Sequence, residues 1–196
     1  MGRRRLISDA RLLAVARDLF VERGTSASTR EIARRAHVSE GVLFQRFGTK
    51  VELYFAALAP PGVEFDREPA KGLSRREARK WLDSFVRRLV DYFRRLAPVL
   101  GPLMTQSEFR FEEFARRYPE SSLVVLRREV TRVLASAQEK GLVGPGPVGP
   151  AALLVISLAH TIAVFERLGA HDSRFPETFI RSAVHCLWRG LSPADP

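Results

Sequence analysis

Gln45 carries an amide that donates and accepts at once, Arg46 a guanidinium fork, Val42 a branched methyl face and Lys50 an ammonium point charge. Such groups, close together, suit the edges of nucleic-acid bases and the phosphates beside them. A glutamine can pair with an adenine edge, an arginine with guanine or a phosphate, and a valine can pack on a thymine methyl. A lysine on phosphate adds affinity without reading sequence.

To act together these side chains need a short, well-anchored helix. Residues 28–50, STREIARRAHVSEGVLFQRFGTK, read as two capped helices joined by a tight turn, with Lys50 heading a third helix to about Leu58. Ser28 and Glu31 have the spacing of a capping box, so a helix should open at Ser28. Ile32, Ala33 and Ala36 form its apolar stripe, with Arg30, Arg34 and Arg35 outward. His37 and Val38 make the turn. Ser39 is a second N-cap, able to accept from Gly41 or Val42. The helix from Glu40 to about Phe47 turns Leu43 and Phe47 inward and leaves Glu40, Gly41, Val42, Gln45 and Arg46 on the remaining arc. Gly41 would let it sit close to a partner. This is a helix-turn-helix outline, whose second helix enters the major groove of duplex DNA while the first crosses the backbone. Capped helix pairs also occur in helical enzymes, so spacing alone leaves a plain helical hairpin open.

Residues 12–58 resemble the N-terminal domain of TetR-type transcriptional regulators. Leu19, Phe20, Glu22, Gly24, Glu31, Ile32, Ala33, Ala36, Val38, Ser39, Gly41, Leu43, Phe47 and Lys50 fall in register with that family's pattern. Phe44 stands where the family has a tyrosine whose hydroxyl often bonds a phosphate. His37 replaces a turn glycine, a position where positive φ is tolerated best by Asn, Asp and His, and the loop from Gly24 to Ser28 is about one residue short. The resemblance implies a DNA-facing set of Ser28, Thr29, Arg30, Ser39, Glu40, Gly41, Val42, Phe44, Gln45, Arg46 and Lys50.

Composition agrees with a polyanionic partner. The 196 residues carry 32 Lys+Arg against 22 Asp+Glu, a net charge of +10, and a pI near 10.9. Residues 1–58 hold eleven basic and six acidic residues, so the excess is only mildly concentrated there. Arg3, Arg4 and Arg5 form a basic arm that reads equally well as a phosphate or minor-groove contact and as a solubilising tail. Cys186 alone cannot form an internal disulfide and suits a reducing cytoplasm. No secretory signal is apparent, and Ala151–Phe165 reads as too short and too polar to span a membrane. Its adjacent neighbour His185 points about 100° away from Cys186 on a helix, so the two make no nucleophile and base; Cys186 reads as a buried structural thiol. No metal-ligand, phosphate-loop or nucleophile motif is present, and neither catalysis nor a cofactor is expected.

The chain is expected to be all-α: a helix-turn-helix DNA-binding domain over 1–58 and a helical ligand-binding and dimerisation domain over 59–196. Pro60, Pro61, Gly62, Pro69 and Gly72 mark the boundary. Ser74 with Glu77 should cap a long helix with core positions Ala78, Trp81, Leu82, Phe85, Leu89, Phe93 and Leu96, its arginines mostly outside, interrupted by Pro98, Gly101 and Pro102. Further helices are expected over Leu103–Arg117, Ser121 to about Lys140, Ala151–Leu168 and Pro176–Arg189, with GLVGPGPVGP a non-helical linker and Gly190 past the last end. A helix apolar on all sides must be covered on all sides. Ala151–Leu168 and the final helix therefore predict a twofold four-helix interface, hence a homodimer and a palindromic operator. TetR resemblance further implies a repressor released by a small apolar or amphipathic ligand, with Phe85, Leu89, Phe93, Met104, Phe109, Leu126, Val130, His160 and Phe165 as candidate pocket residues. Ordinary core packing is the competing reading for each. A sequence-independent architectural DNA-binding protein is the alternative for the whole chain.

Overall fold

A computed structural model describes residues 7–60, 72–104, 110, 112, 113, 116, 123–170 and 174–191. Among them are eight α-helices and no strand: α1 Asp9–Arg23, α2 Thr29–Arg35, α3 Glu40–Phe47, α4 Lys50–Leu58, α5 Arg75–Met104, α6 Leu123–Glu139, α7 Val148–Leu168 and α8 Glu177–Leu191. The chain divides into two compact units, Met1–Pro60 with Pro98–Phe114, and Pro61–Ala97 with Ala115–Pro196. Arg3, Arg4 and Arg5 lie outside the described residues.

The first unit is a small helical head. Leu12, Ala16, Leu19 and Phe20 of α1 are buried and meet α4, where Leu53, Tyr54, Phe55 and Ala57 are also buried. Phe20 and Tyr54 pack edge to face at 5.0 Å. Arg17 Nε donates to the Ala57 carbonyl at 2.7 Å, tying the middle of α1 to the end of α4. α1 ends at Gly24, whose φ of 59° favours glycine.

In the second unit, Ser74 caps α5 by accepting from the Glu77 N–H at 3.3 Å, while the Glu77 carboxylate accepts from the Ser74 N–H at 2.8 Å. Ala78, Leu82, Phe85, Leu89, Phe93 and Leu96 are buried as their spacing requires, and Trp81 is half-buried against Phe85. Two arginines of this helix, Arg87 and Arg94, are half-buried where the outer face was expected. Arg94 makes a two-pronged bond to Glu166 of α7, Nε to Oε2 at 2.9 Å and Nη2 to Oε1 at 2.8 Å, and Arg87 bonds Asp83 and pairs with Glu177 of α8. Their long stems lie along apolar surface while their heads reach partners on other helices.

Proline does not stop α5. The helix continues through Pro98 and Pro102 to Met104, although each ring removes an N–H donor. The apolar stripe carries on past the first proline, with Leu96 and Val99 both buried, and anchors the turn that proline weakens. Of the helix expected over Leu103–Arg117, Leu103 and Met104 belong to α5, and Glu112, Glu113 and Arg116 are helical. Arg110 is described but is not helical, and the other residues of that span, Phe109 included, lie outside the described residues.

α6 ends at a turn in which Gly141 has φ 71°. α7 opens within the Gly/Pro segment, so Val148–Pro150 are helical rather than linker. Pro150 sits in the first turn, where backbone N–H groups have no intrahelical acceptor and a proline forfeits nothing. α7 packs on α6 and α8 with Ala152, Val155, Ala159, Ile162 and Ala163 buried. The other face is bare: Leu153, Leu154, Ser157, His160, Thr161, Phe165 and Leu168 are all exposed. At 21 residues and a mean hydropathy of 2.0 in its most apolar window, α7 is long and apolar enough to cross a membrane, contrary to the sequence expectation. Its Glu166, bonded to Arg94, is a charge that a spanning helix would have to bury. In α8, Gly190 lies within the helix, not past its end, and Cys186 is exposed in the single chain, not buried.

Candidate nucleic-acid interface

The turn between α2 and α3 is closed by its own backbone. The Val38 N–H donates to the Ala33 carbonyl at 3.0 Å and the His37 N–H to Arg34 at 3.2 Å. His37 takes φ 55°, the left-handed geometry that its sequence position requires. Ser28 stands at the N-cap of α2 in extended geometry, but the capping box expected with Glu31 does not form. Arg34 Nη2 holds Glu31 Oε1 at 2.7 Å and Arg35 Nε holds it at 2.9 Å. Charge-assisted bonds to two guanidinium groups outcompete a neutral backbone N–H for that carboxylate. The bonds from Arg34 and then Arg35 lower the Glu31 pKa from 4.5 to about 2.

α3 is set by two fastenings. Ser39 caps it, its hydroxyl accepting from the Val42 N–H at 3.3 Å, and Thr29 Oγ1 donates to Glu40 Oε1 at 2.7 Å, joining the first turns of α2 and α3. At the other end Arg46 donates to the Ile7 carbonyl and to Asp9 Oδ1, the latter at 3.0 Å, fastening the last turn of α3 to the start of α1. Leu43 and Phe47 are buried beneath. α4 follows with a full capping box between Thr49 and Glu52, the two bonds at 2.7 and 3.2 Å, which places Lys50 at its first position.

These fastenings divide the eleven candidate residues. Ser28, Arg30, Ser39, Gly41, Phe44 and Gln45 are exposed, and Val42 and Lys50 are half-buried. Thr29, Glu40 and Arg46 are turned to partners within the head. Arg34 and Arg35 share Glu31, and Arg35 also lies 3.9 Å from Glu22, whereas Arg30 has no carboxylate partner among the described residues. A Cβ added at Gly41 would meet only Ser39 Oγ, at 3.7 Å. The fold therefore does not require glycine there. Phe44, 41% exposed, presents a ring with no polar atom at the centre of this surface.

Residues 12–57 match the model of the bacterial regulatory proteins of the tetR family. A transcriptional repressor of Mycobacterium tuberculosis is 46% identical over 59 residues, covering 30% of this chain and 31% of the relative. The transcriptional activator FasR of Mycolicibacterium smegmatis is 52% identical over 48 residues, 24% of this chain and 22% of that protein. The chain thus matches under a third of the length of these curated relatives, which are transcriptional regulators. The solved flavonoid-responsive regulator FrrA superposes over 95% of this chain and 97% of its own with a TM-score of 0.63 at 22% identity, so the two share an all-helical fold.

The candidate pocket residues are less unified. Phe85, Leu89, Phe93, Leu126 and Val130 are buried in the second unit. His160 and Phe165 are not inward-facing: both are exposed on α7, although the His160 ring meets Phe93 edge to face at 5.2 Å. Met104 is the last residue of α5. A cavity of about 430 Å³ lies elsewhere in the unit, among Leu134, Val143, Pro147, Ala151, Leu154 and Leu191. Sequence reading missed it because its wall is the Gly/Pro segment. Gln138 braces that segment, donating to the carbonyls of Gly144 at 2.8 Å and Gly146 at 3.0 Å. The Thr49 and Glu52 cap was also missed, although its spacing is plain in the sequence; the Arg46 to Asp9 link has no local signal.

Proposed function

We propose that this protein is a sequence-specific, DNA-binding transcriptional regulator, acting as a homodimeric repressor on a palindromic operator in the cytoplasm. The observation that carries the reading is Gly41, Phe44 and Gln45 exposed side by side on a helix fastened at both ends. Gln45 and Val42 read base edges, Arg30 and Lys50 grip phosphates, and Ser28 and Ser39 add hydroxyls at the same surface. Thr29, Glu40 and Arg46 act one step back, fixing the angle of α3. A sequence-independent architectural role is disfavoured, because such a protein has no use for a matched reading helix. Competition binding to the DNA flanking its own coding region, with bulk DNA in excess, tests this; displacement by the bulk DNA in proportion to its mass would refute it.

The dimer reading rests on the bare face of α7. Leu153 and Leu154 are 56% and 58% exposed, Leu168 is 74% exposed, and Phe179 on α8 is 45% exposed. A stripe of this length, broken only by Ser157, His160 and Thr161, fits the same stripe of a second copy, and α8 would complete a four-helix interface covering Cys186. The ligand is a small apolar or amphipathic molecule, held around the buried Phe85, Leu89, Phe93, Leu126 and Val130. It must bind the operator-incompetent arrangement better than the competent one, and about 1.4 kcal/mol of such preference weakens the operator complex tenfold. That the relatives include both a repressor and an activator makes the direction of regulation a matter for a reporter assay.

A further inference from the structure

One cluster of cations in the second unit plays no part in that reading. A cavity of about 850 Å³ is lined by Arg75, Arg76, Arg79, Lys80, Asp83 and Ser84 of α5 and by Arg181, Val184 and Trp188 of α8. Arg181, Val184 and Trp188 share one face of α8, and the ion pair between Arg87 and Glu177 fixes the start of that helix against the middle of α5. Val184 and Trp188, 1% and 5% exposed, form the floor. Five cationic side chains stand around it with a single carboxylate, Asp83, and that carboxylate is already held by Arg87 Nε at 2.7 Å.

Two features make this arrangement costly for the protein alone. Arg75 and Arg79, and Arg76 and Lys80, are like charges four apart on one helix, which is destabilising. They also occupy the first two turns of α5, where the helix macrodipole favours anions and disfavours cations. Three other arginines of the unit are neutralised: Arg87 by Asp83 and Glu177, Arg94 by Asp91 and Glu166, Arg132 by Glu129. Arg76, Arg79 and Arg181 have no such carboxylate among the described residues. A bound anion would remove the repulsion and meet the favourable end of the dipole together.

We propose that this groove is a binding site for a small, multiply charged, phosphate-bearing anion. Its phosphates would lie among Arg76, Arg79, Lys80 and Arg181, whose forked donors match phosphate oxygens, and a ring or chain attached to them would lie on Val184 and Trp188. One carboxylate would leave most of these cations unanswered; a diphosphate answers them. The volume suits a ligand of nucleotide size. The site is separate from the ligand pocket proposed above and does not depend on the DNA-binding reading.

The test is titration calorimetry of the full chain with inorganic pyrophosphate and with adenosine diphosphate, which adds a ring to the same phosphates. Both should bind, the diphosphate nucleotide more tightly, and Arg79→Glu with Arg181→Glu should weaken both by tenfold or more. These side chains are exposed, so the fold should survive, as helical circular dichroism will show. Arg167→Glu, a single charge reversal on exposed α7, should leave binding unaltered. Failure of wild-type protein to bind pyrophosphate overturns the proposal, as does equal weakening by Arg167→Glu, which would mean diffuse charge. Loss of DNA affinity in the groove variant with anion binding intact would give the groove to DNA instead. Absence of operator binding with anion binding retained would leave this site standing while refuting the regulator reading.

Discussion

Gly41 is the residue at which the DNA-reading account is most exposed to test. Glycine inside a helix normally costs roughly 0.5–1 kcal/mol relative to alanine, and nothing in the fold would collide with a Cβ there. Gly41→Ala should therefore leave thermal stability unchanged or slightly higher while lowering DNA affinity at least tenfold; a variant that bound DNA as well as wild type would remove the close approach from the account. Gln45 and Lys50 divide the remaining work differently. Gln45→Ala should change preference at one base pair, worth about 1–3 kcal/mol of discrimination. Lys50→Ala should weaken all sequences alike and reduce the salt slope by about 1. Both are read by anisotropy titrations over several salt concentrations. Phe44 takes the place where the family's phosphate-bonding tyrosine hydroxyl would stand, so Phe44→Tyr should tighten binding without altering base preference. Sequence alone identified these side chains by chemistry, but it could not separate exposed Gln45 from adjacent Arg46, whose guanidinium is spent on Asp9 and Ile7. That pairing is made across 37 residues of chain and leaves no periodic trace.

Among elements, helix starts were legible and helix faces less so. Ser39, Thr49 and Ser74 all cap because each offers an oxygen to an N–H a few residues on, a local event that spacing records. Ser28 shows the limit: Glu31 had the right spacing, and two arginines one turn further on took its carboxylate. The partial burial of Arg87 and Arg94 was likewise invisible, since it depends on Glu177 and Glu166 arriving from other helices. The Arg94 to Glu166 link should be a principal tie between α5 and α7. Burial alone would raise the Glu166 pKa, yet bonds from Arg94 and from the Phe175 N–H, the latter at 2.9 Å, hold it below 4.5. A carboxyl depressed in the folded state stabilises fully above its unfolded pKa and ceases to do so as pH falls through the folded one. Glu166→Gln should thus cost about 2 kcal/mol near neutrality, and less as the medium is acidified below 4.5, as denaturant titrations at successive pH values would show. Glu31 follows the same sign between 4.5 and about 2, but its pair is exposed and belongs to the head.

At the scale of the molecule, the proposed dimer makes the bare side of α7 set how many reading helices meet the DNA. Sequence periodicity indicated a helix too apolar for one chain to cover, and the structure sharpened this to one stripe, with Leu153 and Leu168 outward and Val155 and Ile162 inward. Leu153→Glu with Leu168→Glu should yield a monomer by light scattering with undiminished helicity, because neither side chain is packed within the single chain. Operator affinity should fall by more than tenfold in that monomer, since one head then contacts one half-site. Unaltered dimerisation would assign the stripe elsewhere. The pocket was the least legible feature, because packing in a helical core and lining of a cavity draw on the same apolar spacing, and only burial separated Phe85 and Phe93 from Phe165.

The most direct measurement is a competition anisotropy titration of labelled DNA from beside the coding region, comparing wild type with Gln45→Ala in excess bulk DNA. The account predicts that wild type holds its site against the competitor and that selectivity falls in the variant while its affinity for bulk DNA is kept. Identical selectivity in both proteins would show that α3 does not read the sequence.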